Sequence, residues 1–305
     1  MIPRHHLAAA AAALSIVLAA CGSAPPPSPV ASSPLAAASG TPSVLPVPVA
    51  SELRVGENRT IFSLADATGQ KPIAAPARAL TIGYRGPNGE SIAAAPQTFI
   101  WAIEGVNGVY VGRATFPSAG QWIADFTTEA PSSPKETMSF SFDVKQTANV
   151  ISAGDAAPSV KTPTLGDVGG DVSRVSTDTK PVTRFYAVSE AAALAAKKPF
   201  VLIFATPKFC QSATCGPTLD KLKPVAAAHP ELTFINVEPY QLQDVGGQLQ
   251  PVLNAGNLVP VEATTAFKLS TEPYVFVVGS DGKVSASFEL VFSAAELETA
   301  IKAVE

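Results

Sequence analysis

Phe200-Val201-Leu202-Ile203-Phe204-Ala205-Thr206-Pro207-Lys208-Phe209-Cys210-Gln211-Ser212-Ala213-Thr214-Cys215-Gly216-Pro217 is the stretch on which the reading of this chain turns. The apolar run Phe200–Ala205, preceded by Pro199, reads as a strand buried on both faces. The chain then turns polar and presents two cysteines five positions apart. Pro217 follows and suits the first turn of a helix, where its missing N–H needs no partner. That helix is predicted to run to Ala228. A helix over Ser189–Ala196 comes before the strand, and a second strand over Leu232–Val237 comes after the cysteine helix. Further on, Thr271-Glu272-Pro273 leads into the apolar run Tyr274–Val278. A Ser280-Asp281-Gly282-Lys283 turn and a strand over Val284–Phe288 follow. Ser293-Ala294-Ala295-Glu296 carries a capping-box signature and opens the last helix.

The cysteine pair carries the chemistry. Residues five apart on a regular helix lie about 140° apart around its axis, while a disulfide needs Cα atoms within about 7 Å. Part of 210–215 is therefore predicted to be loop, and the small polar Gln-Ser-Ala-Thr between the cysteines allows that. Disulfide exchange proceeds through a thiolate, which a helix N-terminus favours, and a nearby second thiol resolves the mixed disulfide. A disulfide that merely staples a loop is the competing reading. Metal binding finds little support, because zinc needs three or four ligands and only the two cysteines stand together. His229 lies fourteen residues beyond Cys215, or about 20 Å along a helix. No metal and no cofactor is expected. Glu238 and Glu272 flank prolines near the site face; either could tune a thiol, and both are expected to be solvated loop acids.

The order helix, strand, cysteine loop, helix, strand, proline-led hairpin, helix resembles the thioredoxin-like family. The resemblance is carried by Phe204-Ala205-Thr206, Cys215-Gly216-Pro217 and Glu272-Pro273. Ala153-Gly154-Asp155-Ala156-Ala157-Pro158 is similar to the lead-in segment of membrane-tethered thioredoxins and peroxiredoxins. The resemblance implies an α/β thioredoxin-like domain over 181–305 with Cys210, Cys215 and Pro273 as catalytic residues. It also implies that Pro273 is cis beside the cysteine loop, with Glu272 and Phe209 contacting substrate. Family members have two residues between the cysteines and a tryptophan where Phe209 stands; this chain has four and a phenylalanine. Counted from the strand, Cys210 is the nucleophile and Cys215 the resolver; counted from Cys215-Gly216-Pro217, the roles reverse, and the greater accessibility expected of Cys210 favours the first assignment. Sco-type copper chaperones share such cysteines but add a histidine that His229 does not match.

The N-terminus points to export. Met1 to His6 carries one firm positive charge, and Leu7–Ala20 is uncharged and apolar. Fourteen residues are too few for a transmembrane helix, which needs about 20, and suit a secretory signal. Leu18-Ala19-Ala20-Cys21-Gly22 resembles the bacterial lipobox. That resemblance implies removal of 1–20, acylation of Cys21 and attachment to the extracytoplasmic face of the cell membrane, since paired acyl chains anchor stably. The 21–50 segment, with eight prolines and no charge, reads as a tether. Outside the cytoplasm the two remaining cysteines are free to form a disulfide.

Residues 51–146 change character again. Short alternating runs are predicted as strands at Leu53–Val55, Thr60–Ala65, Ala79–Tyr84, Thr98–Ile103, Val109–Phe116, Trp122–Thr127 and Met138–Val144. Turn residues such as Gly86-Pro87-Asn88-Gly89 and Asn107-Gly108 separate them. Seven such strands predict an antiparallel sandwich with Trp101 and Trp122 in its core. Gly56-Glu57-Asn58-Arg59, Gly108-Val109-Tyr110 and Phe116–Trp122 resemble the small immunoglobulin-like domains of the YtkA and FixH type. Residues 147–180 read as a linker. The expected molecule is thus two-domain, an all-β immunoglobulin-like sandwich followed by an α/β thioredoxin-like domain. Its expected function is membrane-anchored thiol–disulfide exchange with extracytoplasmic protein thiols and disulfides, the alternative being a non-catalytic scaffold lipoprotein. A net charge of −4 without basic clusters argues against nucleic acid.

Overall fold

In the computed structural model, residues 36–37, 42–131 and 133–305 are described. The segment expected to be a signal, 1–20, the expected acylation site Cys21 and most of the stretch read as a tether lie outside them. Among the described residues no helix is long and apolar enough to cross a membrane.

The first ten strands are β1 (Ala36–Ala37), β2 (Val44–Pro48), β3 (Leu53–Arg54), β4 (Gly56–Asp66), β5 (Ala79–Arg85), β6 (Ser91–Pro96), β7 (Thr98–Ile103), β8 (Asn107–Phe116), β9 (Gly120–Ala130) and β10 (Ser133–Lys145). They form two sheets. One runs β1-β10-β9-β5-β6, with β3 also on β10; the other runs β2-β4-β8-β7. The alternation in sequence explains the packing. On β9 the even positions Trp122, Ala124, Phe126 and Thr128 are buried while the odd ones face outward, as a period of two requires. Trp122, Phe126 and Tyr84 from one sheet meet Phe62, Phe116 and Tyr110 from the other in a single apolar cluster. Phe62 and Phe126 stand edge to face with centroids 5.0 Å apart, the geometry that ring quadrupoles favour. Trp122 is fully buried. Trp101, expected beside it, is only half-buried and packs edge-on against Phe99 at 4.9 Å. It sits on β7, the last strand of its sheet, where one flank has no neighbouring strand among the described residues.

The proline-rich stretch read as tether to Ala50 stops short of it. β2 pairs antiparallel with β4, from Val44 opposite Asp66 to Pro48 opposite Phe62. Pro46 and Pro48 are tolerated because β2 ends its sheet, so a proline without an N–H can face away from the ladder.

Beyond Lys145 the remaining elements are α1 (Glu190–Ala195), β11 (Phe200–Phe204), α2 (Cys215–Ala228), β12 (Thr233–Val237), β13 (Leu242–Val245), β14 (Gln248–Pro251), β15 (Leu253–Asn254), β16 (Asn257–Leu258), α3 (Glu262–Ala266), β17 (Tyr274–Val278), β18 (Val284–Glu289) and α4 (Ala294–Lys302). A four-stranded sheet runs β12-β11-β17-β18, with β11 parallel to β12 and antiparallel to β17. Every residue of β11 and β17 is buried, because apolar side chains cover both faces.

The expected two-domain arrangement with an α/β thioredoxin-like second half does not hold. The chain is mostly β, 41% strand against 17% helix, in several sheets with few helices. Two stretches explain the shortfall. Residues 242–258 form two small hairpins that turn at Gly246-Gly247 and Ala255-Gly256, all in the left-handed region, where a helix cannot continue. The Pro-, Gly- and Asp-rich 161–182 supports only isolated 3-10 turns at Leu165–Val168 and Val172–Arg174. Nor is 147–180 a free linker: Val150, Ala157, Val160 and Val175 are buried. Pro34–Glu305 is one compact unit. Within it Val291 packs among Ile61, Ile100, Val109 and Val111 of the sandwich. Arg59 donates to Glu296 from Nε at 2.9 Å and from Nη2 at 3.2 Å, and Lys221 of α2 donates to the Trp101 carbonyl.

Candidate functional site

The cysteine loop leaves the end of β11 and closes on α2. Cys215 is the first residue of α2 and is fully buried; Cys210 is half-buried on the loop before it. The two are joined by a disulfide with Cα atoms 6.0 Å apart. What permits the bond is Ala213, at φ +60°. This left-handed residue breaks the helical path between the cysteines and so removes the angular mismatch of a continuous helix. For a residue bearing a Cβ that conformation costs about 1–2 kcal/mol, and the surrounding contacts hold it.

Those contacts are polar. The Cys215 N–H donates to Cys210 Sγ at 3.2 Å. Ser212 Oγ lies 3.3 Å from the same sulfur and donates to the Glu272 carbonyl at 2.7 Å. The Gln211 N–H donates to Glu272 Oε1 at 2.7 Å, and the Tyr240 hydroxyl donates to Oε2. Glu272 is therefore a buried acid, 3% exposed, gripping the cysteine loop from the segment that leads into β17, the strand paired with β11. Its peptide bond to Pro273 is cis, as the resemblance implied. Burial, together with the carboxylate beside it, pushes the Tyr240 hydroxyl well above the usual phenol range. Tyr240 carried no signal in the sequence, because a lone tyrosine in a polar stretch makes no pattern.

Glu238 is the second buried acid, at the end of β12. It accepts from the Thr177 N–H at 2.6 Å and from Thr177 Oγ1 at 2.9 Å, while its other oxygen is buried without a partner. Burial raises its pKa to about 7. Thr177 Oγ1 in turn accepts from the Lys208 N–H at 3.3 Å, so Glu238 supports the approach to the cysteines. Both acids were expected to be solvated, and both are buried, because 161–182 and the cysteine loop fold over them. Phe209 is half-buried, with Lys208 Nζ 5.4 Å from its ring centroid. His229 caps the far end of α2, where Glu298 and Glu305 hold its two ring nitrogens at 2.9 Å and the Glu298 hydrogen bond raises its pKa.

Cys210, Cys215 and Pro273 thus share one locality with Glu272, Phe209 adjoins it on the loop, and Cys21 lies outside the described residues. The donor atoms of Cys210, Cys215 and Glu272 all fall within 4.8 Å of one another. No protein-family model matches the chain, and no curated protein matches it. A solved structure, the crystal structure of a DUF4426 family protein from Pseudomonas aeruginosa PAO1, is similar over 30% of this chain and 77% of its own. The identity is 17% and the TM-score 0.23, too slight a likeness to carry any argument.

Proposed function

We propose that this chain is a thiol–disulfide oxidoreductase held by acylated Cys21 at the extracytoplasmic face of the membrane, acting on protein thiols and disulfides through Cys210 and Cys215. The observation that carries the reading is the asymmetry of the pair: Cys210 is half-buried on a loop, and Cys215 is buried at the N-terminus of a fourteen-residue helix. A client thiolate attacks Cys210 Sγ and forms a mixed disulfide. The Cys210–Cys215 bond breaks, and its electron pair leaves on Cys215 Sγ, where the helix dipole favours the anion. In the reverse sense the Cys215 thiolate attacks Cys210 and expels the client thiolate. The N–H of Cys215, aimed at Cys210 Sγ, supports negative charge on that sulfur when the pair is reduced. Phe209, half-buried beside Cys210 in the chain, is the residue offered to a client, while Glu272, buried, holds the cysteine loop from within through the Gln211 N–H.

Trapping tests the assignment. Cys215→Ser should accumulate mixed disulfides through Cys210, and Cys210→Ser should accumulate none. The opposite pattern reverses the roles. No trapping in either variant, with slow reduction of the wild-type pair by a dithiol, favours the structural staple.

A further inference from the structure

We infer that, once its disulfide is reduced, the site binds a single divalent zinc-like cation through Cys210 Sγ, Cys215 Sγ and a Glu272 carboxylate oxygen. The inference rests on the exchange-competent pair proposed above and adds a second state of the same site.

Two cysteines alone do not hold zinc; the third donor comes from tertiary structure. Glu272 lies 57 residues beyond Cys215, yet its carboxylate is within 4.8 Å of both sulfurs. Gln211 and Tyr240 fix its orientation, much as the outer partners of a metal ligand do. Reduction adds two electrons and two protons and yields two thiols. Binding of the cation replaces those protons by two metal–sulfur bonds, and both protons leave to solvent. Cys210 is the more exposed donor and leaves one side open, which suits three protein ligands with a fourth position for water. The carboxylate distinguishes the choice of ion: two thiolates alone suit copper(I), while a hard oxygen beside them suits zinc.

The test uses the full chain with Cys21→Ala, so that only two thiols remain. It is reduced with a water-soluble phosphine without oxygen, and its thiols are counted. Cobalt(II) added to the reduced protein should give sulfur-to-cobalt charge transfer at one ion per chain, reversed by zinc, and the oxidised protein should give none. Even an outer-shell partner is worth about 10–100-fold in metal affinity, so Glu272→Gln should weaken cobalt binding at least tenfold. X-ray absorption at the zinc edge of the same Cys21→Ala chain, with Glu272 intact, should show two sulfurs and at least one oxygen. Half an ion per chain with four sulfurs, or unchanged affinity in Glu272→Gln, overturns the site. Copper(I) binding that ignores Glu272→Gln, with no zinc bound, overturns it too. A reduced protein with two counted thiols that binds no cobalt defeats this inference and leaves the exchange reading standing. Cobalt binding by a pair that does not exchange with a dithiol defeats only the exchange reading.

Discussion

The sandwich and the region behind it are built from the same apolar residue types but handle buried polarity in opposite ways. Among the described residues the sandwich buries Asn58, Thr60 and Thr128 and no carboxylate, whereas the C-terminal region buries Glu190, Glu238 and Glu272, together with Asn236 and a set of threonines. Burying a carboxylate is costly unless it is paired or neutralised. Each acid here has a local partner. Glu190 accepts from the Val160 N–H at 2.7 Å, Glu238 from Thr177, and Glu272 from Gln211 and Tyr240. All three tie irregular chain to the β12-β11-β17-β18 sheet or its flanking helices. The sandwich also has a long connection, 67–78 between β4 and β5, but the carboxylate that holds it is not buried: Asp66 accepts from the N–H groups of Thr68, Gln70 and Lys71. Carboxylates thus enter this core where long loops have to be held, and the cysteines sit on one of those loops.

The apolar side of that contrast is tested hardest by Trp122→Ala. It removes a fully buried ring against Phe116, whose centroid is 4.9 Å away, and should cost about 3–5 kcal/mol in denaturant unfolding. Its rate of disulfide exchange with a dithiol under native conditions should stay at the wild-type value. A matching loss of exchange in the folded variant would mean that the sandwich takes part in the chemistry.

A smaller change tests the polar side. Burial lifts Glu238 from an ordinary 4.5 to about 7. A carboxyl whose pKa is raised in the folded state binds its proton more tightly there, so its stabilisation is complete below about pH 4.5 and is lost as pH rises through about 7. Wild-type stability should therefore fall by about 2–3 kcal/mol relative to Glu238→Gln between pH 5 and pH 8, at about 1.4 kcal/mol per pKa unit. Glu190, likewise raised to about 7 by burial, acts in the same sense. The sandwich carboxylate Asp125 runs the other way: the Arg85 hydrogen bond holds it below its usual range, so its contribution fades as pH falls. Equal pH profiles for wild type and Glu238→Gln would remove the contrast.

The seam between the two regions should respond least. Ser293 caps α4 through a reciprocal pair with Glu296, and Ser293→Ala should cost about 1 kcal/mol. Glu296 also receives Arg59 from the sandwich. Ser293→Ala and Arg59→Ala should therefore be non-additive by at least about 0.5 kcal/mol in a double-mutant cycle. Strict additivity would show that the two regions meet without sharing this acid.

How legible all this was in the sequence depended on the range of the signal. Thr98–Ile103 matches its strand in both bounds, and the other alternating runs match to within a few residues, because a period of two is written locally. Ser91–Pro96 was missed: Ile92 apart, it is small and exposed and has no apolar face to advertise it. Val44–Pro48 was missed because its prolines spoke for a tether, while pairing with β4 outweighs that composition. The hairpins over 242–258 were also missed, and with them the class of the C-terminal half, since their glycines mark turns without saying what the turns join.

Local sequence was enough for the strand runs, for the helix starts at Ser189 and Ser293, and for two cysteines able to meet only through a loop. These follow from the backbone's short-range rules, in which each residue answers to neighbours within a few positions. It took tertiary structure to pack 147–180 against the rest of the chain, to bury Glu238 and Glu272, and to close Tyr240 and Glu272 on the cysteines. Those outcomes join residues tens of positions apart in the chain, and the energy that brings them together comes from burying apolar surface across the whole unit. No local pattern of residues records that.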